Sequence, residues 1–438
     1  MEDFRSLIPR FLRYVRIWTT SDRHVEETPS SPGQWELAKL LAGELRALGL
    51  TETKITDHCY VISLIPPSPG HEAKSAIGFL AHLDTAQDVS GKDVRPVVVE
   101  NYDGGKIVLT GDENGPVLDP EGDSDLAAQK GKTIIHTDGT TLLGADDKAG
   151  IAEIMTVAEY LTAHPEIKHG PVVIIFSPDE ETGKGLPDFP LETICAMVGP
   201  AGAGPSGGTS AAAGETSASG NLAACYTLDG GALGELEAEC FNALVSKVLF
   251  TGKVIHLGQA RGGLANACLM AAAFAVMLPR SESPEATDGY YGYYCPTEIS
   301  GGLEKAELEV YIRDFDVNRA MERAAALEVF ARAVEAQFPG GKVTVDTKVQ
   351  YRNMKERIDQ HPEVLAKLEE AARRTGVAVT LKPIRGGTDG SRLAELGIPT
   401  PNIFAGGRNF HALTEWALVS DMEAACALVT ELVRVWGE

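Results

Sequence analysis

The strongest constraint on the fold is a pair of short apolar runs. Residues 77–81 (IGFLA) and 172–176 (VVIIF) are nearly unbroken in hydrophobicity, and polar residues follow each of them. Runs of this kind are typical of strands that are buried on both faces of a sheet. Apolar residues at helical spacing occur in residues 34–48 and again in residues 151–161. Strands that alternate with helices predict an α/β sheet that is covered by helices on both faces.

Side chains with catalytic or metal-binding chemistry are concentrated near the ends of these strands. His82 and Asp84 follow the first run, and residues 179–181 (Asp-Glu-Glu) follow the second. Asp146 and Asp147 lie just before the helical segment between the two runs. Ligands of α/β sheets usually bind beyond the carboxyl ends of the strands. Three adjacent carboxylates at such an edge repel one another unless a cation is present, which favours a metal site.

Each cluster alone also has an ordinary structural explanation. The pair after the first strand could be a hydrogen-bonded surface pair, and the acids before the helix could cap it. Asp229 and His411 could belong to a turn or to a core. Together the clusters offer two imidazoles and three carboxylates without a thiolate, a set that suits a pair of Zn, Mn or Co ions. The candidate ligands are His82, Asp229 and His411, with one acid of the pair Asp146 and Asp147 and one of the pair Glu180 and Glu181.

The hydrophobic pattern changes near residue 241. The later segments are predicted strands at 241–251, 290–294, 308–312 and 343–349, with predicted helices at 264–278 and 319–338. This order predicts an inserted α+β domain of the βαββαβ type, at residues 241–353. Residues 1–240 and 354–438 would then form one α/β domain. The stretch at about 199–220 is almost entirely Gly, Ala, Ser, Pro and Thr, so we expect a flexible surface insertion, with a lid over the site as the alternative.

Charge and composition exclude several classes of partner. The formal net charge of −23 argues against nucleic acid and anionic membranes, which are bound through basic surfaces. We find no run of about 18 uninterrupted apolar residues, so no membrane span is predicted. The seven cysteines are scattered without a CxxC pair, which predicts neither a disulfide framework nor a thiolate zinc site. The acidic N-terminal segment lacks a secretory signal pattern, and we expect a cytoplasmic protein.

Five motifs resemble those of the M20 metallopeptidases. They are residues 82–84 (HLD), 144–150 (GADDKAG), 179–185 (DEETGKG), 229–231 (DGG) and 385–390 (RGGTDG). The resemblance runs from one end of the chain to the other. It implies a zinc-peptidase-like catalytic domain, with a mixed sheet covered by helices, and an inserted ferredoxin-like domain that serves as a lid or dimerisation domain. A homodimer through the lid domain is therefore also expected.

The resemblance implies a binuclear metal centre and assigns its ligands. Asp146 would bridge two divalent ions, most often zinc, with cobalt or manganese as the other candidates. His82 and Asp229 would complete the coordination of one ion. Glu181 and His411 would complete that of the other.

The remaining implied roles concern catalysis and substrate binding. Asp84 would orient His82, and Glu180 would take a proton from the attacking water and pass it to the leaving amine. His256 and Asn266 would contact the substrate, and Arg385 would bind its carboxylate. His256 lies in His-Leu-Gly, whereas the family usually has a His-Pro-Gly-like turn.

The activity implied by the resemblance is that of an aminopeptidase which releases the N-terminal residue from tripeptides. A dipeptidase, a carboxypeptidase or a deacylase of N-acyl amino acids is the alternative within the same family. A peptide-binding protein without catalysis is the more remote alternative. Short peptides are the expected partners in each case.

Overall fold

The computed structural model describes residues 4–112, 114–199 and 221–438. The chain divides into two compact units. The first unit comprises Met1–Ala238, Glu356–Lys382 and Thr388–Glu438, and the second comprises Glu239–Lys355 and Pro383–Gly387. The insertion predicted at about 199–220 lies outside the described residues apart from Gly199. No helix in the described ranges combines the length and the apolar character that crossing a bilayer requires.

The helices and strands are numbered in chain order. The helices of the described residues are α1 Leu7–Tyr14, α2 Pro32–Ala47, α3 Ser124–Ala127, α4 Ala145–Ala163, α5 Leu191–Val198, α6 Ala267–Ala275, α7 Val317–Gln337, α8 Lys355–Asp359, α9 Pro362–Thr375, α10 Asp389–Glu395 and α11 Val419–Gly437. The strands are β1 Thr53–Ile55, β2 Val61–Ile65, β3 Ala76–His82, β4 Val97–Val99, β5 Ile107–Val108, β6 Val117–Leu118, β7 Ile134–His136, β8 Val172–Ser177, β9 Leu222–Gly230, β10 Glu235–Cys240, β11 Asn242–Thr251, β12 Tyr293–Gly301, β13 Lys305–Asp314, β14 Lys342–Tyr351, β15 Thr380–Ile384, β16 Asn402–Phe404, β17 Gly407–Arg408 and β18 Trp416–Leu418.

The main sheet of the first unit is mixed and has the strand order β1-β2-β8-β3-β9-β16-β10-β15. β3 is parallel to β8 and β9, whereas β2 pairs with β8 in the antiparallel sense. The two predicted strands are β3 and β8, and their side chains alternate between two hydrophobic layers. Phe79 and Ile174 join the layer that includes residues of α4 and α11, whereas Leu80 and Ile175 join the layer that includes residues of α5 and α10. The prediction of an α/β sheet covered on both faces is confirmed.

A smaller sheet with the order β17-β18-β7-β4 also belongs to the first unit, and the sequence did not predict it. Its strands are two or three residues long, too short to show an alternating pattern. Trp416 of β18 pairs with His136 of β7. The antiparallel pair of β17 and β18 bounds a loop of seven residues, 409–415, that carries His411. This sheet therefore positions one of the candidate ligands.

The second unit contains an antiparallel sheet with the order β12-β13-β11-β14. The chain order β11-α6-β12-β13-α7-β14 is the predicted βαββαβ arrangement, and the sheet order is that of a ferredoxin-like fold. Phe250 and Ile312 of the sheet pack with Phe274 of α6 and Leu327 of α7 in one buried cluster. The predicted α+β class of this segment is confirmed. The strand predicted at 290–294 begins later, at Tyr293, and extends to Gly301.

Candidate metal centre

His82 is the last residue of β3 and is almost fully buried, with 2 % of its side chain exposed. Its Nε2 atom lies 2.8 Å from Asp146 Oδ1, and its Nδ1 atom lies 3.1 Å from the carbonyl oxygen and 3.3 Å from Oδ1 of Asp84. The Asp84 carboxylate also accepts the backbone N–H groups of Glu180 at 3.0 Å and Glu181 at 3.1 Å. Asp84 therefore connects the segment after β3 to the segment after β8.

Asp146 lies at the start of α4, where the backbone has not yet become helical. Its φ and ψ angles are −81° and 106°, and Gly144 before it has a φ of 78°. A buried carboxylate, Glu415, accepts the N–H of Gly144 at 2.7 Å and that of Asp146 at 3.1 Å. The next residue, Asp147, accepts the N–H of His82 at 3.1 Å. These contacts explain why two adjacent acids occur here, since one carboxylate faces the site and the other supports it.

Glu180 and Glu181 form a short 3-10 turn after β8. The turn begins at Asp179, which has a φ of 59° and is almost fully buried. Asp179 donates its N–H to Gln34 Oε1 at 3.1 Å and accepts from Gln34 Nε2 at 2.7 Å. Its carboxylate also accepts the N–H of Ser30 at 2.8 Å. Of the three adjacent acids, Asp179 is thus a structural anchor, and the next two are free to face the site.

The remaining two candidate ligands approach from opposite sides of Asp146. Asp229, near the end of β9, has its Oδ1 atom 3.7 Å from His82 Nε2. His411, in the loop between β17 and β18, has its Nε2 atom 3.4 Å from Asp146 Oδ2 and 3.0 Å from Glu181 Oε1. The two oxygens of Asp146 therefore face different histidines. This is the arrangement expected of a carboxylate that bridges two cations.

The five candidate ligands form two groups that share Asp146. In the described part of the chain, the side chains whose ligand atoms converge are His82, Asp146 and Asp229 in the first group, and Asp146, Glu181 and His411 in the second. In both groups these atoms lie within 4.8 Å of one another. A glycine in α4 allows the close packing behind the first group, because a Cβ atom at Gly150 would come within 2.1 Å of the Leu228 carbonyl oxygen.

Burial and mutual repulsion shift the acidity of these carboxyl groups. Burial, followed by the charge of Asp146, raises the pKa of Asp229 to about 7 and that of Glu181 to about 7. Burial raises the pKa of Glu180 well above its usual value, and the charges of Asp229 and Glu181 add to this effect. Burial also acts to raise the pKa of Asp146, but its contacts with the two histidines outweigh burial and lower it. Without a cation, the cluster must therefore hold protons to be stable.

The donor set fits divalent cations. Glu181 Oε1 is buried and, among the described residues, receives no hydrogen bond, although it faces His411 Nε2 at 3.0 Å. The pKa of His411 is raised to about 11 by contacts with Asp146 and Glu181. A cation would replace the protons that hold these groups together, because metal ligands bind in their deprotonated forms. Imidazole nitrogens and carboxylate oxygens without a thiolate suit Zn, Co or Mn.

Comparison with known proteins identifies the family. The family model described as "Peptidase family M20/M25/M40" matches residues 138–435. The chain is also 44 % identical to Peptidase T of Clostridium perfringens (strain SM101 / Type A) over 429 residues, which cover 98 % of each chain. The chain belongs to the M20 peptidase family.

Two solved structures show the same fold. An aminopeptidase PepT from Bacillus cereus matches with a TM-score of 0.69 and 20 % identity, covering 100 % of this chain and 99 % of that one. A tripeptidase from Staphylococcus aureus matches with a TM-score of 0.70 and 21 % identity over the same shares of the two chains. The M20 fold therefore extends over the whole chain, including both compact units.

The three predicted substrate-binding residues of this M20 chain lie in the second unit. His256 is exposed and precedes a 3-10 turn at Leu257–Gln259. Asn266 caps helix α6, and its Oδ1 atom accepts the N–H groups of Cys268 at 3.0 Å and Leu269 at 3.3 Å. The capping bonds occupy the amide oxygen of Asn266, so only its amide nitrogen remains for a substrate.

Arg385 is engaged by a loop of its own unit. Its Nη1 atom donates to the carbonyl oxygens of Gly289 and Tyr291, at 2.8 Å each. Its Nη2 atom donates to Thr287, at 3.1 Å to the carbonyl oxygen and 2.8 Å to Oγ1. The guanidinium also lies over the ring of Phe241, with 5.1 Å between Cζ and the ring centroid. To bind a substrate carboxylate, Arg385 would have to release part of this loop.

Sequence reasoning did not single out two acidic residues that support the ligands. Glu415 holds the turn that carries Asp146, and Asp88 lies 3.2 Å from His411 Nδ1. Each is close in sequence to a ligand, Glu415 four residues after His411 and Asp88 six residues after His82. Proximity in sequence is the only signal, because neither residue occurs in a pattern that distinguishes it from a surface acid.

Proposed function

We propose that this chain is a metal-dependent aminopeptidase that releases the N-terminal residue from tripeptides. The observation that carries the proposal is Asp146, whose two carboxylate oxygens face the two ligand groups separately. The membership of the M20 family and the 44 % identity to a Peptidase T support the reaction class. The names of the two similar structures, an aminopeptidase and a tripeptidase, suggest the substrate.

The proposed metal centre uses the five ligands as two overlapping sets. His82 and Asp229 would hold one ion, Glu181 and His411 would hold the other, and Asp146 would be shared by both. We propose zinc as the native metal, with cobalt and manganese as ions that the same donors accept. Divalent ions in such a pair polarise the scissile carbonyl and lower the pKa of water.

Glu180 is the proposed general base. Its carboxylate takes a proton from the attacking water and later donates it to the nitrogen of the leaving amine. Two observations support this role. The N–H of Glu180 is held by Asp84, which fixes the turn, and its half-buried carboxyl group lies near the charges of Asp229 and Glu181. The raised pKa of Glu180 favours uptake of a proton.

Substrate binding is assigned to the second unit. We propose the inserted domain, residues 241–353, as the lid, with His256 and Asn266 binding polar groups of the peptide. Arg385 would bind the peptide carboxylate in exchange for contacts with the loop at Thr287. The homodimer through this domain and the cytoplasmic location remain predictions from the sequence.

A hydrolysis panel tests the activity. Metal-free protein is reconstituted with zinc or cobalt and incubated with dipeptides, tripeptides, tetrapeptides and N-acyl amino acids, and the released amino acids are identified. We expect tripeptides with a free amino group to be cleaved fastest, with release of the N-terminal residue. Preferred cleavage of dipeptides or N-acyl amino acids, or release of the C-terminal residue, would support the alternative activities of the family.

A substitution of Glu180 tests catalysis separately from folding. Glu180→Gln should lower kcat by about 10²–10⁴-fold, since this is the usual contribution of a general base. The variant should still bind both metal ions, which can be counted by mass spectrometry. Glu192→Gln, which removes an exposed carboxylate from α5, is the matched control. A Glu180→Gln protein with wild-type turnover would exclude this residue as the base, whereas metal-loaded wild type that binds peptides without cleaving them would favour a role in peptide binding alone.

A further inference from the structure

The two candidate ligand histidines have similar partners but very different surroundings. His82 has its Nε2 atom toward Asp146 and its Nδ1 atom toward Asp84, and both His82 and Asp84 are buried. His411 has its Nε2 atom toward Asp146 and Glu181. Its Nδ1 atom lies 3.2 Å from Asp88 Oδ2, with 40 % of the His411 side chain and 64 % of the Asp88 side chain exposed. The Nδ1 atoms of both rings thus face acids of the same short segment after β3, residues 83–88, in which Asp84 and Asp88 are four residues apart.

We propose that Asp88 is a positioning residue for His411, and that it determines the affinity of the second metal ion. The proposal rests on the binuclear centre of the proposed function. A metal-ligating imidazole needs its other nitrogen protonated and oriented, and a carboxylate on that nitrogen also makes the ring a stronger ligand. Asp88 occupies the position where such a carboxylate is required.

The second ion depends on this contact more than the first ion depends on Asp84. His411 lies in a loop and has a φ of 59°, with a φ of 55° at Asn409, so no regular element holds its ring. His82, by contrast, ends a central strand of the sheet, where β8 pairs with it through Ser177. With the backbone providing less support, the orientation of the His411 ring relies on Asp88.

Water reaches the two groups unequally. The side chain of His411 is 40 % exposed and that of Glu181 is 10 % exposed, whereas His82 is 2 % exposed. Exposure gives chelators and competing ions a path to the second group. The second group is therefore the more accessible of the two, and the affinity of its ion depends on Asp88.

The test counts metal ions per chain at defined free zinc. Metal-free wild type, Asp88→Ala, Asp88→Asn and the control Asp57→Ala are equilibrated in zinc buffers, and bound zinc is measured by mass spectrometry. Asp57 is an exposed acid in the turn between β1 and β2, outside both ligand groups. His411→Ala identifies the binding step that belongs to the second ion.

We expect wild type and Asp57→Ala to bind two ions in two steps. Asp88→Ala should need about 10–100-fold more free zinc for the binding step that His411→Ala removes, because removing a hydrogen-bond partner of a metal ligand usually weakens metal binding by this factor. The other binding step should be unchanged. Asp88→Asn should fall between, because its amide oxygen still accepts from Nδ1 but carries no charge. Asp88→Asn also replaces Asp88→Ala as the test variant if Asp88→Ala does not fold.

Two results would overturn the role of Asp88. One is a second step at the wild-type zinc concentration in both Asp88 variants, and the other is an equal weakening of both steps. The outcomes separate this proposal from the proposed function. Wild type that binds fewer than two ions, or that cleaves no tripeptide when loaded, contradicts the proposed function itself, whereas a normal wild type with unaffected Asp88 variants contradicts only the role of Asp88.

Discussion

Gly150 offers a direct test of the packing that brings Asp146 and Asp229 together. It lies in α4, whose first turn carries Asp146, and a Cβ atom there would lie 2.1 Å from the carbonyl oxygen of Leu228 and 2.5 Å from Asp147 Oδ1. Real Cβ atoms essentially never approach other atoms closer than 3.0 Å. The obstacle is the backbone of β9, which cannot rotate away as a side chain could. Gly150→Ala must therefore push α4 away from β9, and with it Asp146 from Asp229.

The size of the effect follows from two opposing terms. Overpacking in a core costs about 1–3 kcal/mol, and a backbone obstacle favours the upper end. Replacing glycine with alanine in a helix returns about 0.5–1 kcal/mol. We expect a net loss of about 2 kcal/mol in the free energy of unfolding. Gly43→Ala is the matched control, because Gly43 lies in α2 and no other atom lies within 4 Å of its Cβ position. This variant should be more stable than wild type by about 0.5–1 kcal/mol.

The assay is urea unfolding of both variants without metal, followed by zinc binding. Gly150→Ala should unfold at lower urea than wild type and should bind both ions more weakly, because the displaced Asp146 belongs to both ligand groups. Gly43→Ala should unfold at higher urea and bind zinc normally. If Gly150→Ala matches Gly43→Ala in both measurements, the close contact between α4 and β9 does not determine the geometry of the metal centre.

Two further variants test buried acids. Glu153 is fully buried in α4, both of its carboxylate oxygens lack a hydrogen bond among the described residues, and burial raises its pKa well above the usual value. The folded state favours the neutral form of Glu153, so the free energy of unfolding should fall as the pH rises from the pKa of Glu153 in the unfolded chain through its pKa in the folded protein. Urea midpoints at pH 5 and pH 8 measure this decrease. The decrease should be smaller in Glu153→Gln. Glu415→Gln turns one acceptor for Gly144 and Asp146 into a donor and leaves a buried N–H unpaired, at a cost of about 1–3 kcal/mol. Because Asp146 is shared, both ions should weaken together in a zinc titration, unlike the single step expected for Asp88→Ala.

The elements that could be predicted from sequence are those with a long or unbroken pattern. Strands β3 and β8 were recognisable because each is apolar on both faces, and α7 because its pattern spans several turns. The small sheet of β4, β7, β17 and β18 could not be found, since two or three residues show no period. The prediction of β12 begins too early because Tyr290 and Tyr291 have strand-like side chains but lie in a turn, where Arg385 binds the carbonyl oxygens of Gly289 and Tyr291.

The candidate ligands stand out in the sequence because acids and histidines cluster after predicted strands and before one predicted helix, whereas the residues that contact them do not stand out. Gln34 binds Asp179 from 145 residues away, and Glu415 binds the N–H of Asp146 from 269 residues away. A glutamine in a helix and a glutamate in a loop carry no sign of such partners. Their roles depend on where the fold brings α2 and the 409–415 loop, which requires the tertiary structure.

The separate roles proposed for Glu180 and Glu181 also depend on a contact with a distant residue. Both residues donate their N–H groups to the same carboxylate, Asp84, and this fixes the peptide planes on either side of Glu180. In a 3-10 turn, successive side chains point about a third of a turn apart, so two adjacent acids with fixed backbones cannot reach the same point. Glu181 faces His411, and Glu180 is left beside the site without that contact. Asp84 therefore contacts the candidate ligand His82 and also fixes the backbone that separates the proposed base Glu180 from the candidate ligand Glu181.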